Sequence, residues 1–355
     1  MSFSDTIKRS WNGNHLMSVL VELTYACNLD CSFCYNDLSL EGERLSLAQY
    51  RELLEDLASL SALNLTLSGG EPLAHPQFYE IGRYARQLGF VVRLKSNGHA
   101  LKENVARRIR DEVDPFIIEV SLHGAKPATH DRQTRVPGSF ERLVGNIRTM
   151  KTLGLRVKAN SVLTTWNENE LEAMFVLCET LEVPLQIDPE VKPRDDGDTS
   201  PLGITASAAG LASYKRALAR QHEADQTTTD RLGSLVASAR RETMTETDKH
   251  CGAGSNNLTV DPYGNVLPCV QWRIPVGNLH ERRVTEIWAE SIALREVRQI
   301  TKAARRMLAD LGDPGLLVNF CPGAAHTYSG DPLAMYPAAQ RRIESGRARV
   351  RLPVL

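Results

Sequence analysis

The chain has 355 residues, enough for one large α/β domain and a smaller one, and its formal net charge of −1 with a pI near 6.8 offers no global field to nucleic acid or an anionic membrane. Seven cysteines, odd in number and unevenly clustered, point to metal binding and away from a disulfide framework. The polar residues 1–17 lack the apolar core of a signal peptide and no apolar run reaches the length of a membrane span, so a reducing cytoplasm is the expected setting.

In chain order, an apolar run at 19–24 reads as a strand and leads into a loop carrying Cys27, Cys31 and Cys34 as C-x-x-x-C-x-x-C. Three thiols this close can hold three irons of a cubane 4Fe-4S cluster, which normally takes four thiolates, so one iron would lack a protein ligand. Zinc usually shows paired C-x-x-C knuckles with four ligands at hand, and no fourth Cys or His is near.

A helix at 46–60 follows, with Leu47, Tyr50, Leu53, Leu54 and Leu57 at helical spacing and Ser46 as N-cap. Strands at 64–67, 90–95, 116–121, 156–163 and 184–188 then alternate with helices at 76–88, 103–110, 140–153 and 168–181. Six strands linked by helical crossovers give a parallel sheet, either open or a partial barrel.

Small polar groups stand at the strand ends: Ser68-Gly69-Gly70-Glu71-Pro72, Ser96-Asn97-Gly98 and Ser121-Leu122-His123-Gly124. The glycines permit a close backbone approach, and Glu71 offers a carboxylate acceptor. His123 is either a solvated loop imidazole or a substrate-side group. A polar loop at 130–139 offers Arg132 and Arg135 for bidentate carboxylate binding, with Ser139 as a helix N-cap. Cys178, on an apolar helix, reads as a small core hydrophobe. The acidic stretch Asp195, Asp196 and Asp198 reads as a solvated loop, and helices at 205–223 and 230–241 bridge to a C-terminal module.

That module starts at Cys251. Strands at 258–261 and 265–267 flank the turn Pro262-Tyr263-Gly264-Asn265, bringing Cys251 and Cys269 together. Helices at 284–298 and 303–311 precede Cys321, and three convergent thiols point to a second metal centre. A fourth ligand is not evident: a C-x-x-C partner of Cys321 would stand at Val318, which leaves His250, His326, Asp331 or an open iron.

The cysteine loop resembles the signature of the radical S-adenosylmethionine (SAM) superfamily, and Gly69-Gly70-Glu71-Pro72 resembles its GGEP motif. The resemblance implies a six-stranded partial (β/α) barrel of α/β class, with a SAM-binding 4Fe-4S cluster on Cys27, Cys31 and Cys34. It places Phe33 beside adenine, Gly69, Gly70 and Glu71 at the SAM ammonium, and Asn97, Ser121 and Arg135 at hydroxyl or carboxylate groups. Asn160 and Asn167 resemble polar positions near the adenosyl group. The C-terminal thiols resemble a SPASM or shorter twitch extension, an α+β domain. A full SPASM domain has seven cysteines, and only Cys251, Cys269 and Cys321 are present, so one auxiliary cluster at most is expected.

The expected division is an N-terminal segment 1–18, a radical SAM barrel 19–200, a helical bridge 201–249, an auxiliary-cluster domain 250–335 and a tail 336–355. The expected activity is reductive cleavage of SAM and oxidative crosslinking or dehydrogenation of a ribosomally made precursor peptide. A separate leader-peptide-binding protein and a reductant such as flavodoxin or ferredoxin would be partners. Alternatives are a small-molecule dehydrogenase, a tetrapyrrole or aminocyclitol enzyme, an iron-sulfur electron carrier or a zinc-stabilised binding module. The basic residues Arg341, Arg342, Arg347, Arg349 and Arg351 would meet carboxylates or simply be solvated.

Overall fold

Six parallel strands form the larger part of the protein: β1 (Ser18–Glu22), β2 (Asn64–Ser68), β3 (Val91–Ser96), β4 (Ile117–Ser121), β5 (Val157–Val162) and β6 (Leu185–Asp188). They lie side by side in the order β6-β5-β4-β3-β2-β1. The computed structural model describes residues 3–37, 39–225, 248–311 and 320–350. The expected helix at 230–241, Val318 and Arg351 lie outside them.

Helices fill the crossovers: α2 (Leu47–Ser59), α3 (Phe78–Gln87), α4 (Glu103–Arg108), α5 (Pro127–Thr134), α6 (Ser139–Thr152), α7 (Leu171–Thr180), and then α8 (Ala208–Asp225) after β6. A capping box starts α2, where Ser46 Oγ accepts from Gln49 N and the Gln49 side chain returns to Ser46 N. Strand residues Leu65, Leu67, Leu94, Ile118 and Ala159 are at 0% exposure, each an apolar contribution made by the face turned to the helices. The alternation predicts the parallel sheet, and the architecture is the α/β partial barrel that the family resemblance implies.

The chain divides into two compact units. Leu20–Thr228 and Val260–Gly264 form one. Met1–Val19, Thr229–Thr259 and Asn265–Leu355 form the other.

In the second unit, α1 (Phe3–Gly13) is anchored by Lys249, whose buried Nζ donates to Trp11 O at 2.7 Å, Ser255 Oγ at 2.8 Å and Asn14 Oδ1. Asp248 accepts from Asn12 at 2.8 Å and pairs with Lys8 at 3.0 Å. The helix α1 is thus tied to the segment at 248–255. The predicted hairpin is present as β7 (Asn257–Val260) and β8 (Asn265–Leu267), with β9 (Gly277–Asn278) antiparallel to β8. Its turn needs Gly264, at φ 79°.

After the hairpin come α9 (Val284–Glu290), α10 (Ile292–Asp310), α11 (Pro322–Ser329) and α12 (Pro337–Val350). Ser291 breaks what the periodicity reads as one helix at 284–298: its Oγ caps α10 through Leu294 N, and α10 runs on without a break to Asp310.

Candidate active site

The strand ends converge on the cysteine loop. Gly69, at φ 129°, lies so close to it that an added Cβ would meet Thr24 O at 2.3 Å. One at Gly70 would meet Tyr25 O at 2.6 Å and Ala26 O at 2.7 Å. Gly70 N donates to Thr24 O at 2.7 Å and Glu71 N to Ala26 O at 2.9 Å. The two glycines thus seat the second strand's exit against the backbone that carries Cys27, and the close approach expected at this motif is to that loop.

Glu71 is 2% exposed, and its carboxylate accepts from Ser96 Oγ at 2.9 Å, Asn97 N at 2.8 Å and Leu73 N at 3.2 Å. Burial raises its pKa and these donors oppose the rise, leaving it at about 7. Its side chain ties the second strand end to the third. Asn97, held there, donates its amide to Asn28 Oδ1 at 2.7 Å and to Cys27 Sγ at 3.6 Å.

The three thiols are free and share one loop. Burial, then the charges of Cys34, Cys27 and Asp30, push Cys31 up to about 12. Desolvation also raises Cys27, against the Leu29 N–H. Burial raises Cys34, opposed by the Asn36 N–H and the Arg194 guanidinium. A metal that replaces the protons removes this cost, and N–H donors aimed at sulfur stabilise the thiolate form. Among the described residues no three Cys, His, Asp or Glu side chains stand close enough to share a single ion. A cubane asks less, because each thiolate binds its own iron. Three mutually coupled thiols with N–H and guanidinium partners fit such a cluster.

Other expected residues are distributed around this centre. The Phe33 ring meets His123 edge-on at 4.5 Å. Ser121 stands opposite Asn160 in the sheet, and Asn160 donates to Glu119 at 2.8 Å. Arg135 has φ 56° and pairs with Asp30 at 3.2 Å, while Arg132 stacks on Trp166 at 4.0 Å.

Three expectations change. His123 is 4% exposed, its Nδ1 accepts from Val162 N at 3.4 Å and burial lowers its pKa, so it is not a solvated loop imidazole. Asn167 spends its amide on Thr164 N at 2.8 Å, Val162 O at 2.9 Å and His123 O at 3.2 Å, and is a strut of the fifth strand's exit. Ser139 is the first residue of α6 and not its cap. That role falls to Asp131, which accepts from Gly138 N at 2.6 Å and Phe140 N at 2.9 Å. Cys178 is 2% exposed, a core residue as expected.

Arg194 is a neighbour of the first thiol set that pattern reading passes over. The loop after β6 folds back so that Asp195 N donates to Tyr35 O at 2.8 Å, and the turn Arg194 to Asp198 is closed by Arg194 N to Asp198 O at 2.9 Å. That brings both the Arg194 cation, itself paired with Asp198 at 3.5 Å, and the opposing Asp195 carboxylate to bear on Cys34 from a stretch that reads as a solvated acidic run. A lone arginine in a run of prolines and acids carries no sequence signal for this role.

In the other unit Cys251, Cys269 and Cys321 form a second coupled set. Burial, then the Cys321 and Cys251 thiols, push Cys269 up to about 12. Cys321 caps α11, its Sγ accepting from Ala324 N at 3.4 Å, and its own N–H donates to the Tyr336 hydroxyl at 3.2 Å. His250 Nε2 lies 2.7 Å from Phe320 O, linking the segments of Cys251 and Cys321, and Asp331 accepts from Leu333 N at 2.8 Å. These thiols also fit an iron-sulfur group.

The model of the radical SAM superfamily matches residues 21–178, and that of SPASM, an iron-sulfur cluster-binding domain, matches residues 251–309. AdoMet-dependent heme synthase of Methanosarcina barkeri is 27% identical over 297 residues, 78% of this chain and 83% of the relative. PqqA peptide cyclase of Ruegeria pomeroyi is 26% identical over 349 residues, 92% and 87%. Among solved structures, Streptococcus suis SuiB superposes with a TM-score of 0.68 at 14% identity, covering 92% of this chain and 77% of that one, a likeness of fold.

Proposed function

Because the chain belongs to the radical SAM superfamily and carries a C-terminal SPASM domain, we propose that it cleaves SAM reductively and uses the radical to crosslink or dehydrogenate a ribosomally made precursor peptide. The family implies a SAM-binding 4Fe-4S cluster and auxiliary iron-sulfur, and the first of these, when bound by Cys27, Cys31 and Cys34, would supply the electron for reductive cleavage of SAM. The finding that carries the oxidative reading is the match to the iron-sulfur cluster-binding SPASM domain at residues 251–309, which takes in Cys251 and Cys269. A second iron-sulfur group gives the electron left by substrate oxidation somewhere to go.

In this reading Cys27, Cys31 and Cys34 hold the first cluster. Phe33, Gly69, Gly70, Glu71, Asn97, Ser121 and Arg135 shape the SAM site. Glu71 acts as a strut that sets Ser96 and Asn97. Asn97 and Arg194 direct an N–H and a cation at the thiolates. Ser121 and Arg135 are left to bind the SAM carboxylate. Cys251, Cys269 and Cys321 hold one auxiliary cluster. The working parts are then a barrel at 19–200, a bridge at 201–249 and an auxiliary domain at 250–335. No helix among the described residues is long and apolar enough to cross a membrane. A cytoplasmic reductant of the flavodoxin or ferredoxin kind and a separate leader-binding protein complete the proposal.

A second reading is favoured by the heme synthase relative, whose match covers 83% of its length: oxidation of a tetrapyrrole side chain. The test is anaerobic incubation with SAM and dithionite, with candidate peptide or tetrapyrrole. Deoxyadenosine release accompanied by a substrate mass loss of about two hydrogens supports substrate oxidation. No release under these conditions overturns the radical reading.

A further inference from the structure

The barrel strands have a second face that the site above does not use. Alternation puts Val92, Leu94, Ile118, Val120, Val157 and Ala159 on the buried side, none more than 5% exposed. Their neighbours on β3, β4 and β5 point the other way, and these include Arg93, Lys95, Glu119, Lys158 and Asn160. The register sets Lys95 opposite Glu119 and Glu119 opposite Lys158, in one row across three strands. A barrel filled by its own side chains has branched apolar residues at such positions. Here the row is ionic.

The charges do not balance. Arg93 donates to one Glu119 oxygen, from Nε at 3.0 Å and Nη2 at 2.5 Å, and Asn160 donates to the other at 2.8 Å. Glu119, 6% exposed, is therefore fully engaged. Lys158 Nζ donates to Gln186 Oε1, a neutral partner. Lys95 is exposed and makes no hydrogen bond or ion pair among the described residues. The other acids on this face are occupied elsewhere: Asp188 pairs with Lys192 at 3.4 Å, and Glu22, two strands from β3, accepts from Tyr25 Oη at 2.9 Å.

Three cations thus share one carboxylate, and the two lysine charges lack an acidic partner of their own. Burial lowers the Lys158 amine; Glu119 opposes this, and Arg93 and Lys95 add to the fall. Glu119 is spent on Arg93 and Asn160, which leaves the two lysine ammonium groups of this row available to an anion.

We propose that Lys95 and Lys158 form a carboxylate-binding site for the substrate on the barrel's inner face. Lys95 directly precedes the Ser96-Asn97 strand end and Lys158 lies on the same strand face as Asn160. A carboxylate held there lies next to the strand ends that carry the proposed SAM contacts. The inference deepens the radical SAM reading and rests on it, naming the group by which the substrate is recognised: an acidic side chain of a peptide or of a small molecule. Arg93 and Glu119 hold the row in place, and the lysines supply charge-assisted hydrogen bonds.

The test uses the full chain and two probes, a fluorescent peptide containing glutamate and coproporphyrin, a tetrapyrrole with carboxylate side chains. Each is paired with a neutral counterpart, the glutamine peptide and the methyl ester. Wild-type protein is expected to bind at least one acid form about tenfold or more tighter than its neutral counterpart, with the preference falling as salt rises. The double variant Lys95→Met, Lys158→Met is expected to lose that preference, and Lys95→Arg with Lys158→Arg to keep it, which separates charge from folding. The probe that shows the preference identifies its source. If wild-type protein prefers neither acid form, or the double Met variant keeps the preference, the proposal is overturned. Deoxyadenosine release by wild-type protein is measured alongside: its absence sinks the radical reading, whereas release without an acid preference sinks only the carboxylate site.

Discussion

The backbone N–H of Asp195 donates to the carbonyl of Tyr35 at 2.8 Å, and this one bond fastens the loop after the last barrel strand to the residue that follows Cys34. Arg194 is brought to the thiol by it. A cation beside a cluster favours the more negative, reduced form. Arg194→Met is therefore expected to lower the potential of the first cluster by about 1 kcal/mol, on the order of 40 mV for a one-electron couple. The Arg194→Lys variant, which keeps a cation at this place, should recover most of the shift. An anaerobic redox titration followed by electron paramagnetic resonance reads both, and an unchanged potential in the Met variant would rule out the role.

At Gly69 and Gly70 the expected effect is on cluster assembly. Gly69→Ala places a methyl 2.3 Å from Thr24 O, at a φ that alanine rarely adopts, and Gly70→Ala places one 2.6 Å from Tyr25 O. Both should displace the cysteine loop and cost about 1–3 kcal/mol of stability. Iron bound by the first site after anaerobic reconstitution should fall well below that of wild-type protein. Full iron loading in either variant would contradict this.

Glu71 makes stability depend on pH in an unusual direction for a carboxylate. Its pKa is raised to about 7 in the folded protein, so folding favours the protonated form. The stabilisation is complete below the unfolded value, near 4.5, and is lost as pH rises to about 7. The loss from this group is about 3 kcal/mol at most. Glu71→Gln should flatten the stability profile between about pH 5 and pH 7, as read by urea unfolding. An identical profile would remove the cause.

His130 acts with the opposite sign. Burial lowers it to about 4, so its neutral form is favoured by folding and its contribution is lost as pH falls from about 6.5 towards 4. His130 Nδ1 accepts from His123 N at 3.0 Å. His130→Gln, which keeps an acceptor, should be less stable than wild type at about pH 7 and should lose less on acidification to about pH 5. Urea unfolding at the two pH values makes the comparison.

The distal thiols are separable from the proximal ones. A variant with Cys27, Cys31 and Cys34 all changed to Ala should retain about four irons per chain with matching sulfide, and further change of Cys269 to Ala should remove them. Iron absent from the triple variant would leave the distal cysteines without a cluster and take away the support for an oxidative reaction.

Most of the barrel was legible because its signals are local: runs of apolar residues spaced for strands, helices with their own caps, glycines at strand exits. The cysteine loop was legible for the same reason. What escaped depends on partners distant in sequence. The helix α1 was passed over although Phe3, Ile7 and Trp11 recur at four-residue spacing, because the residues that anchor it, Asp248 and Lys249, follow the barrel. The helix α5 is short and polar, and the residues it buries, His130, Gln133 and Thr134, are themselves polar. The burial of Glu71 is not legible in sequence because an exposed and a buried carboxylate are the same letter. Only the third strand's Ser96 and Asn97, brought alongside, distinguish them.

The contact between Asn12 and Asp248 spans 236 positions of chain. During synthesis the first helix emerges long before the residues that bury it, and it must wait through the production of every barrel strand. Had those residues stayed unfolded, bringing its ends together would carry the closure entropy of a very long loop. A barrel that folds as it emerges ties most of that loop into one body and shortens the search. The lysine that finally receives α1 therefore acts as a late clasp, and a destabilised barrel should show itself first as an N-terminus open to proteases.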